Sequence, residues 1–203
     1  MIAVVNYGLG NLTSIGNMFR RIGREAIITA DPEEIRSADK LLIPGVGHFQ
    51  KGMENLRSSG LQELLNELVL TQGKPVLGIC LGAQLMTMHS EEGDADGLQW
   101  VELVTRRFDA GRMHGLKIPH MGWSDISIRD KSPLWENLQA EPRFYHVHSY
   151  HFVTGDPLLV SATATYGYEF VTAFRKGNIF GTQFHPEKSH KFGMAVLENF
   201  AKL

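Results

Sequence analysis

Four short, mainly aliphatic runs mark the front of the chain: Ile2–Asn6, Ala26–Thr29, Lys40–Ile43 and Pro75–Ile79. Runs of this length suit strands covered on both faces, as in a parallel sheet. Between them, apolar positions recur at helical spacing. Leu12, Ile15, Met18, Phe19 and Ile22 follow the first run, and Leu56, Leu61, Leu64, Leu65 and Leu68 mark a helix or helix pair ended by Gly73 and Pro75. Leu81–His89 reads as a short helix. The alternation predicts an α/β fold, a mostly parallel central sheet flanked by helices on both faces.

From about residue 97 the pattern changes. Strand-like segments at Val101–Phe108, Ile126–Ile128, Phe144–Val147, Leu158–Ala162, Phe170–Phe174 and Asn178–Gln183 are separated by turns, which predicts an antiparallel C-terminal half. Lys191–Leu203 returns to helical spacing through Phe192, Val196, Leu197 and Phe200. With no linker, repeat or low-complexity tract, residues 1–203 read as a single domain.

Charge narrows the partners. With 20 Lys+Arg against 22 Asp+Glu, the chain has no basic footprint for nucleic acid or an anionic membrane. The uncharged stretches at residues 1–19 and 75–90 are interrupted by Asn6 and Gly8, and by Gly78, Gly82 and Gln84. Neither reads as a signal peptide or a spanning helix. The single cysteine, Cys80, excludes an internal disulfide framework and a Cys-rich metal site, and it fits a reducing, cytoplasmic setting. Glycine is in excess, 21 of 203 residues, and each one weakens an element unless the backbone requires it.

Three glycine-rich loops follow front strands, at the sheet edge where ligands of open parallel sheets bind. They are Gly8-Leu9-Gly10-Asn11, Pro44-Gly45-Val46-Gly47 and Gly78-Ile79-Cys80-Leu81-Gly82. The first lacks the third glycine of a dinucleotide fingerprint, with Thr13 in its place. The third has the form of a nucleophile elbow, in which flanking glycines let one strained residue project its side chain. A helix N-terminus beside the sulfur favours thiolate. The competing reading is a small buried hydrophobe, which would not need glycine on both sides.

A cysteine nucleophile needs a base. Among nine histidines, His185 heads His185-Pro186-Glu187 directly after a predicted strand, so a carboxylate can fix its tautomer and favour the imidazolium. The cluster His146-Val147-His148-Ser149-Tyr150-His151 invites a metal reading, but His151 points away from the other two on a regular strand, and no carboxylate or thiol is near. It reads as a pocket wall or interface, with no metal. His48, His89, His114, His120 and His190 default to surface or satisfied-core residues.

Gly78–Gln84 together with Gln183-Phe184-His185-Pro186-Glu187-Lys188-Ser189 resembles the triad (class I) glutamine amidotransferases. Tyr7–Leu12, Pro44–Gly47, Ser90-Glu91-Glu92-Gly93, Pro119–Trp123 and His148-Ser149-Tyr150 are similar to the glutaminase subunits of imidazole glycerol phosphate synthase, in the same order along the chain. The resemblance implies a flavodoxin-like fold and no cofactor. It makes Cys80 the nucleophile toward L-glutamine, His185 the base and Glu187 its orienting carboxylate. Leu81 and the Gly45-Val46-Gly47 loop would hold the oxyanion, with Gln84, His148 and Ser149 around the substrate.

It also implies, as heterodimeric partner, a HisF-type (β/α)₈ synthase subunit. That protein would receive ammonia and make imidazole glycerol phosphate and AICAR in histidine biosynthesis. Asn11, Trp123, Tyr145 and Lys188 match positions at or near that interface; read without the resemblance, they are a helix cap, a core aromatic, a strand residue and a solvated lysine. Asn6 stands where the family often has aspartate. The tail Ser189–Met194 resembles a paralogous group that supplies ammonia for amidation of surface-polysaccharide sugars. A cysteine hydrolase or peptidase on the same elbow is the alternative from another class.

Overall fold

The computed structural model describes residues 1–203. Its front half runs β1 (Ile2–Val5), α1 (Leu12–Arg21), β2 (Ala26–Thr29), α2 (Pro32–Ser37), β3 (Lys40–Ile43), α3 (Phe49–Ser58), α4 (Leu61–Asn66), β4 (Val76–Ile79) and α5 (Leu81–Gln84). The rest comprises β5 (His89–Ser90), β6 (Ala95–Asp96), β7 (Val104–Arg107), β8 (His120–Ile128), β9 (Arg143–His148) and β10 (Tyr150–Val153). It closes with β11 (Val160–Tyr166), β12 (Tyr168–Lys176), β13 (Ile179–Thr182) and α6 (His190–Lys202). No helix is long and apolar enough to cross a membrane.

The strands join in the order β2-β1-β3-β4-β13-β12-β10-β7-β5-β6, with β11, β8 and β9 branching from β12. The first five are parallel, and β12, β10 and β7 continue antiparallel. Alternation along β1 assigns its two faces to separate cores. Ala3 and Val5 pack with Ile35, Phe49, Met53, Leu56 and Leu65 from α2, α3 and α4. Ile2 and Val4 pack with Ile15, Phe19, Val196 and Phe200 from α1 and α6. Burial of β1, β3 and β4 within the sheet explains their unbroken aliphatic runs, whereas β2 lies at the sheet edge and leaves Ile28 exposed.

Several elements depart from the sequence expectation: β5, β6 and β10 fall outside the expected strands, β13 pairs in parallel with β4 although it was expected in the antiparallel half, and two helices differ. The helix expected over Leu81–His89 ends at Gln84. The carbonyls of Leu85, Met86, Thr87 and Met88 instead accept from the amides of Leu98, Trp100, Gln99 and Gly97. The returning chain thus takes the carbonyls that a continuing helix would use. Helix α2, unforeseen, is capped by Asp31, whose side chain accepts from the Glu33 amide, with Pro32 at its first position and Glu33 and Glu34 in its first turn.

Candidate active site

Cys80 joins β4 to α5 with φ 51° and ψ −111°, a backbone conformation that a β-carbon crowds. Its amide donates to the Thr182 carbonyl at 2.7 Å, and its carbonyl accepts from the Gln84 amide at 3.0 Å. The neighbouring glycines are there for close approach. A β-carbon on Gly78 would lie 2.6 Å from Ala83 Cα, and one on Gly82 would lie 2.7 Å from the Ile43 carbonyl carbon and closer still to its oxygen. Gly45 completes the interlock, since its β-carbon would lie 2.5 Å from the Gly82 nitrogen. Strand, elbow and the 44–47 loop therefore fit only without side chains at these points, and surrounding packing holds the strained cysteine in place.

Cys80 opens into a cleft of about 320 Å³, lined also by Val46, Gly47, Leu81, Gln84, His148, Ser149 and His185. The sequence-selected pocket residues thus converge, except that Gly45 sits beneath the elbow. Glu187 stands behind His185, with Nδ1 to Oε1 at 2.8 Å and both side chains only 1% exposed. The ring is aimed by its own backbone: the His185 amide donates to the Tyr145 carbonyl at 2.9 Å, and the His185 carbonyl accepts from Ser189 Oγ at 2.6 Å. His185 Nε2 has no hydrogen-bond partner in the chain. Burial disfavours the imidazolium, but negative charge at Cys80 and then the Glu187 carboxylate outweigh it and push the His185 pKa up to about 10. The arrangement can hold a thiolate–imidazolium pair on one cleft wall.

Glu92 is a cleft residue that sequence reasoning did not single out. Its Oε2 accepts from the Phe49 amide at 2.8 Å, which fixes a carboxylate at the rim. The Ser90-Glu91-Glu92-Gly93 motif was the available signal. The histidine cluster also differs from expectation. The strand breaks at Ser149 between β9 and β10, so His151 turns toward the same side as its neighbours. His148 and His151 lie 5.4 Å and 4.7 Å from the Phe108 ring. His120 joins them, stacked between His146 at 4.7 Å and Tyr166 at 4.1 Å. Burial lowers the pKa of all four, and each bonds to a hydroxyl or a backbone carbonyl.

Trp123 is 40% exposed on β8, so the core-aromatic alternative fails there. It meets Tyr145 edge-on at 6.2 Å and stacks on His190 at 5.5 Å, while Lys188 lies 5.7 Å over the Tyr145 ring. Asn11 precedes α1 without a side-chain capping bond, so the cap reading fails too. A larger cleft of about 560 Å³ beside Trp123, Arg21 and Arg143 does not include Cys80. Cys80 and His185 share the smaller of these two clefts.

The family model described as "Glutamine amidotransferase class-I" matches residues 3–203. Among curated relatives, an imidazole glycerol phosphate synthase subunit HisH 2 of Methanococcus maripaludis is 49% identical over 100% of this chain and 99% of its own. A protein of the same name from Pseudomonas aeruginosa is 45% identical over 100% of both chains. A solved structure titled as a glutamine amidotransferase superposes with a TM-score of 0.74 at 20% identity, over 100% of this chain and 99% of that one. The solved structure of a putative GMP synthase component from Thermoplasma acidophilum gives 0.72 at 20% identity, over 99% and 92%. These two support the fold alone. A family model spanning nearly the whole chain, and relatives matching it end to end, lead to one assignment: the chain belongs to the class I glutamine amidotransferases.

Proposed function

We propose that this chain is the glutaminase subunit of an imidazole glycerol phosphate synthase, acting in the cytoplasm as one domain over residues 1–203. Its relatives carry the name of that subunit. The observation that carries the chemistry is a strained Cys80 sharing a cleft with a His185 that is backed by Glu187 at 2.8 Å. The Cys80 thiolate attacks the side-chain amide carbon of L-glutamine. His185 gives its proton to the amide nitrogen as the C–N bond breaks and ammonia leaves. Water then attacks the Cys80 thioester, neutral His185 takes the water's proton, and glutamate departs with thiolate and imidazolium restored.

The Leu81 amide and the Val46–Gly47 backbone stabilise the oxyanion, a contribution whose loss typically costs roughly 10²–10³ in rate. Gln84, His148 and Ser149 surround the substrate. No step requires a cofactor. Ammonia passes to a HisF-type (β/α)₈ subunit docked over Asn11, Trp123, Tyr145 and Lys188, a surface whose exposed tryptophan and lysine suit a protein contact. The experiment is Cys80→Ala assayed with that partner. Synthesis from glutamine is lost while synthesis from ammonium salts persists; equal loss of both contradicts the division of labour. The Ser189–Met194 tail favours a second reading, amidation of a surface-polysaccharide sugar. Turnover of a sugar nucleotide, with none of the imidazole precursor, would select it.

A further inference from the structure

A run of buried amides leads from the start of β10 to the Cys80 sulfur. The Tyr150 carbonyl accepts from His148 Nδ1 at 2.6 Å and from Gln84 Nε2 at 3.5 Å. Gln84 Nε2 also donates to Gln183 Oε1 at 3.1 Å, and Gln183 Nε2 donates to Cys80 Sγ at 3.6 Å. The direction of this chain is fixed by its end. A backbone carbonyl can only accept, so the Gln84 nitrogen faces it; the Gln183 oxygen then faces that nitrogen, which leaves the Gln183 N–H on the sulfur. Both glutamines are buried, and the Gln183 backbone N–H donates to the Thr172 carbonyl at 2.8 Å.

We propose that Gln183 is a further catalytic residue of this site, a side-chain donor that holds the Cys80 sulfur as thiolate, and that Gln84 positions it. The inference rests on Cys80 being the nucleophile. A thiol is a weak acceptor and a thiolate a strong one, so a fixed N–H favours the ionised form. The titratable groups nearby have other tasks. His185 supplies the opposite charge and receives the proton, and the Tyr7 hydroxyl is committed to the Pro44 carbonyl at 2.6 Å. His148 and Glu92 also line the cleft, and each bonds to a backbone group. Gln183 is the side chain whose hydrogen bond ends on the sulfur.

The test is the ultraviolet absorbance of the thiolate, titrated against pH in the full chain with Cys80→Ala as blank. Gln183→Leu raises the ionisation midpoint by about one unit, and alkylation of Cys80 by a neutral haloacetamide slows about tenfold below the midpoint. The two alkylation rates converge at high pH. Gln84→Leu shifts the midpoint the same way by less, and the double variant goes no further than Gln183→Leu alone. Gln183→Glu, which puts an acceptor on the sulfur, raises the midpoint furthest. An unchanged midpoint in a folded Gln183→Leu chain, or additive shifts in the double variant, overturns the proposal. If Gln183→Leu fails to fold, Gln84→Leu carries the test, and an unchanged midpoint there is equally decisive. The titration needs no glutamine, so it can fail while glutaminase activity stands. Conversely, glutamine hydrolysis surviving in Cys80→Ala would remove the nucleophile reading without touching the titration.

Discussion

Gly82→Ala tests whether the elbow and the 44–47 loop form one close-packed unit. The added β-carbon would sit 2.7 Å from the Ile43 carbonyl carbon and 3.0 Å from the Pro44 carbonyl carbon, and closer to the Ile43 oxygen. These are backbone atoms of a buried parallel strand and the loop that follows it, so no flexible side chain can swing aside. The strand or the elbow must move by about an ångström to restore ordinary contact. Overpacking of this kind costs about 1–3 kcal/mol, which lowers the melting temperature of a chain this size by roughly 2–12 °C. The larger effect falls on the site. The displacement separates Cys80 from the Val46–Gly47 wall, and a misplacement of about 1 Å costs roughly 10²-fold in rate. Thermal unfolding and glutamate production with the partner present read the two effects. Gly155→Ala, where a β-carbon meets nothing within 4 Å, is the control and changes neither. A Gly82→Ala chain with wild-type melting and wild-type turnover would refute the close-packed account.

Two further outcomes follow from the histidine stack and the exposed aromatic surface. His120, His146, His148 and His151 have pKa values lowered by burial, to about 4 for His120 and about 3 for His146. In the unfolded chain they bind protons near pH 6.5, so unfolding takes up protons and stability falls as pH drops below that. His120 and His146, kept neutral, each cost about 1.4 kcal/mol at pH 5.5, and His148 and His151 add in the same direction, read as a falling urea midpoint between pH 7 and pH 5. His185 runs the other way: its raised pKa gives a contribution complete below about pH 6.5 and lost on rising through about 10, so it does not offset the acid loss. A flat urea midpoint across that range would contradict the neutral stack. Trp123→Ala, at a 40% exposed position, weakens partner binding by roughly 2 kcal/mol, or about thirtyfold, in calorimetry. The melting temperature of the isolated chain stays within about 2 °C; unchanged affinity would exclude that surface.

The front sheet was legible because β2 and β3 begin and end where the aliphatic runs do, and β1 and β4 lie within theirs. Strands covered on both faces, as β1, β3 and β4 are, need no alternation; β2, at the sheet edge with Ile28 exposed, was found by its aliphatic run alone. The elbow was legible for a different reason: glycines flanking one cysteine report a backbone constraint, which Gly78 and Gly82 satisfy against Ala83 and Ile43. Helix α2 carried its signal in Asp31-Pro32-Glu33-Glu34, but its six residues hold a single buried side chain, Ile35, too few to show a period. The premature end of α5 and the turning of His151 involve partners distant in sequence, the amides of residues 97–100 and the Phe108 amide that donates to the Ser149 carbonyl, to which local periodicity is blind. Gln183 stood in view within a recognised motif, yet its contact with Cys80 joins residues 103 apart and needed the folded chain.

The most direct measurement is covalent labelling by a glutamine analogue bearing an electrophilic side chain, read by peptide mass spectrometry in the complex with the partner subunit. One label per chain is expected, on Cys80, slowed by glutamine and absent from Cys80→Ala. Labelling elsewhere, or no labelling while the chain cleaves peptides or esters, would contradict it.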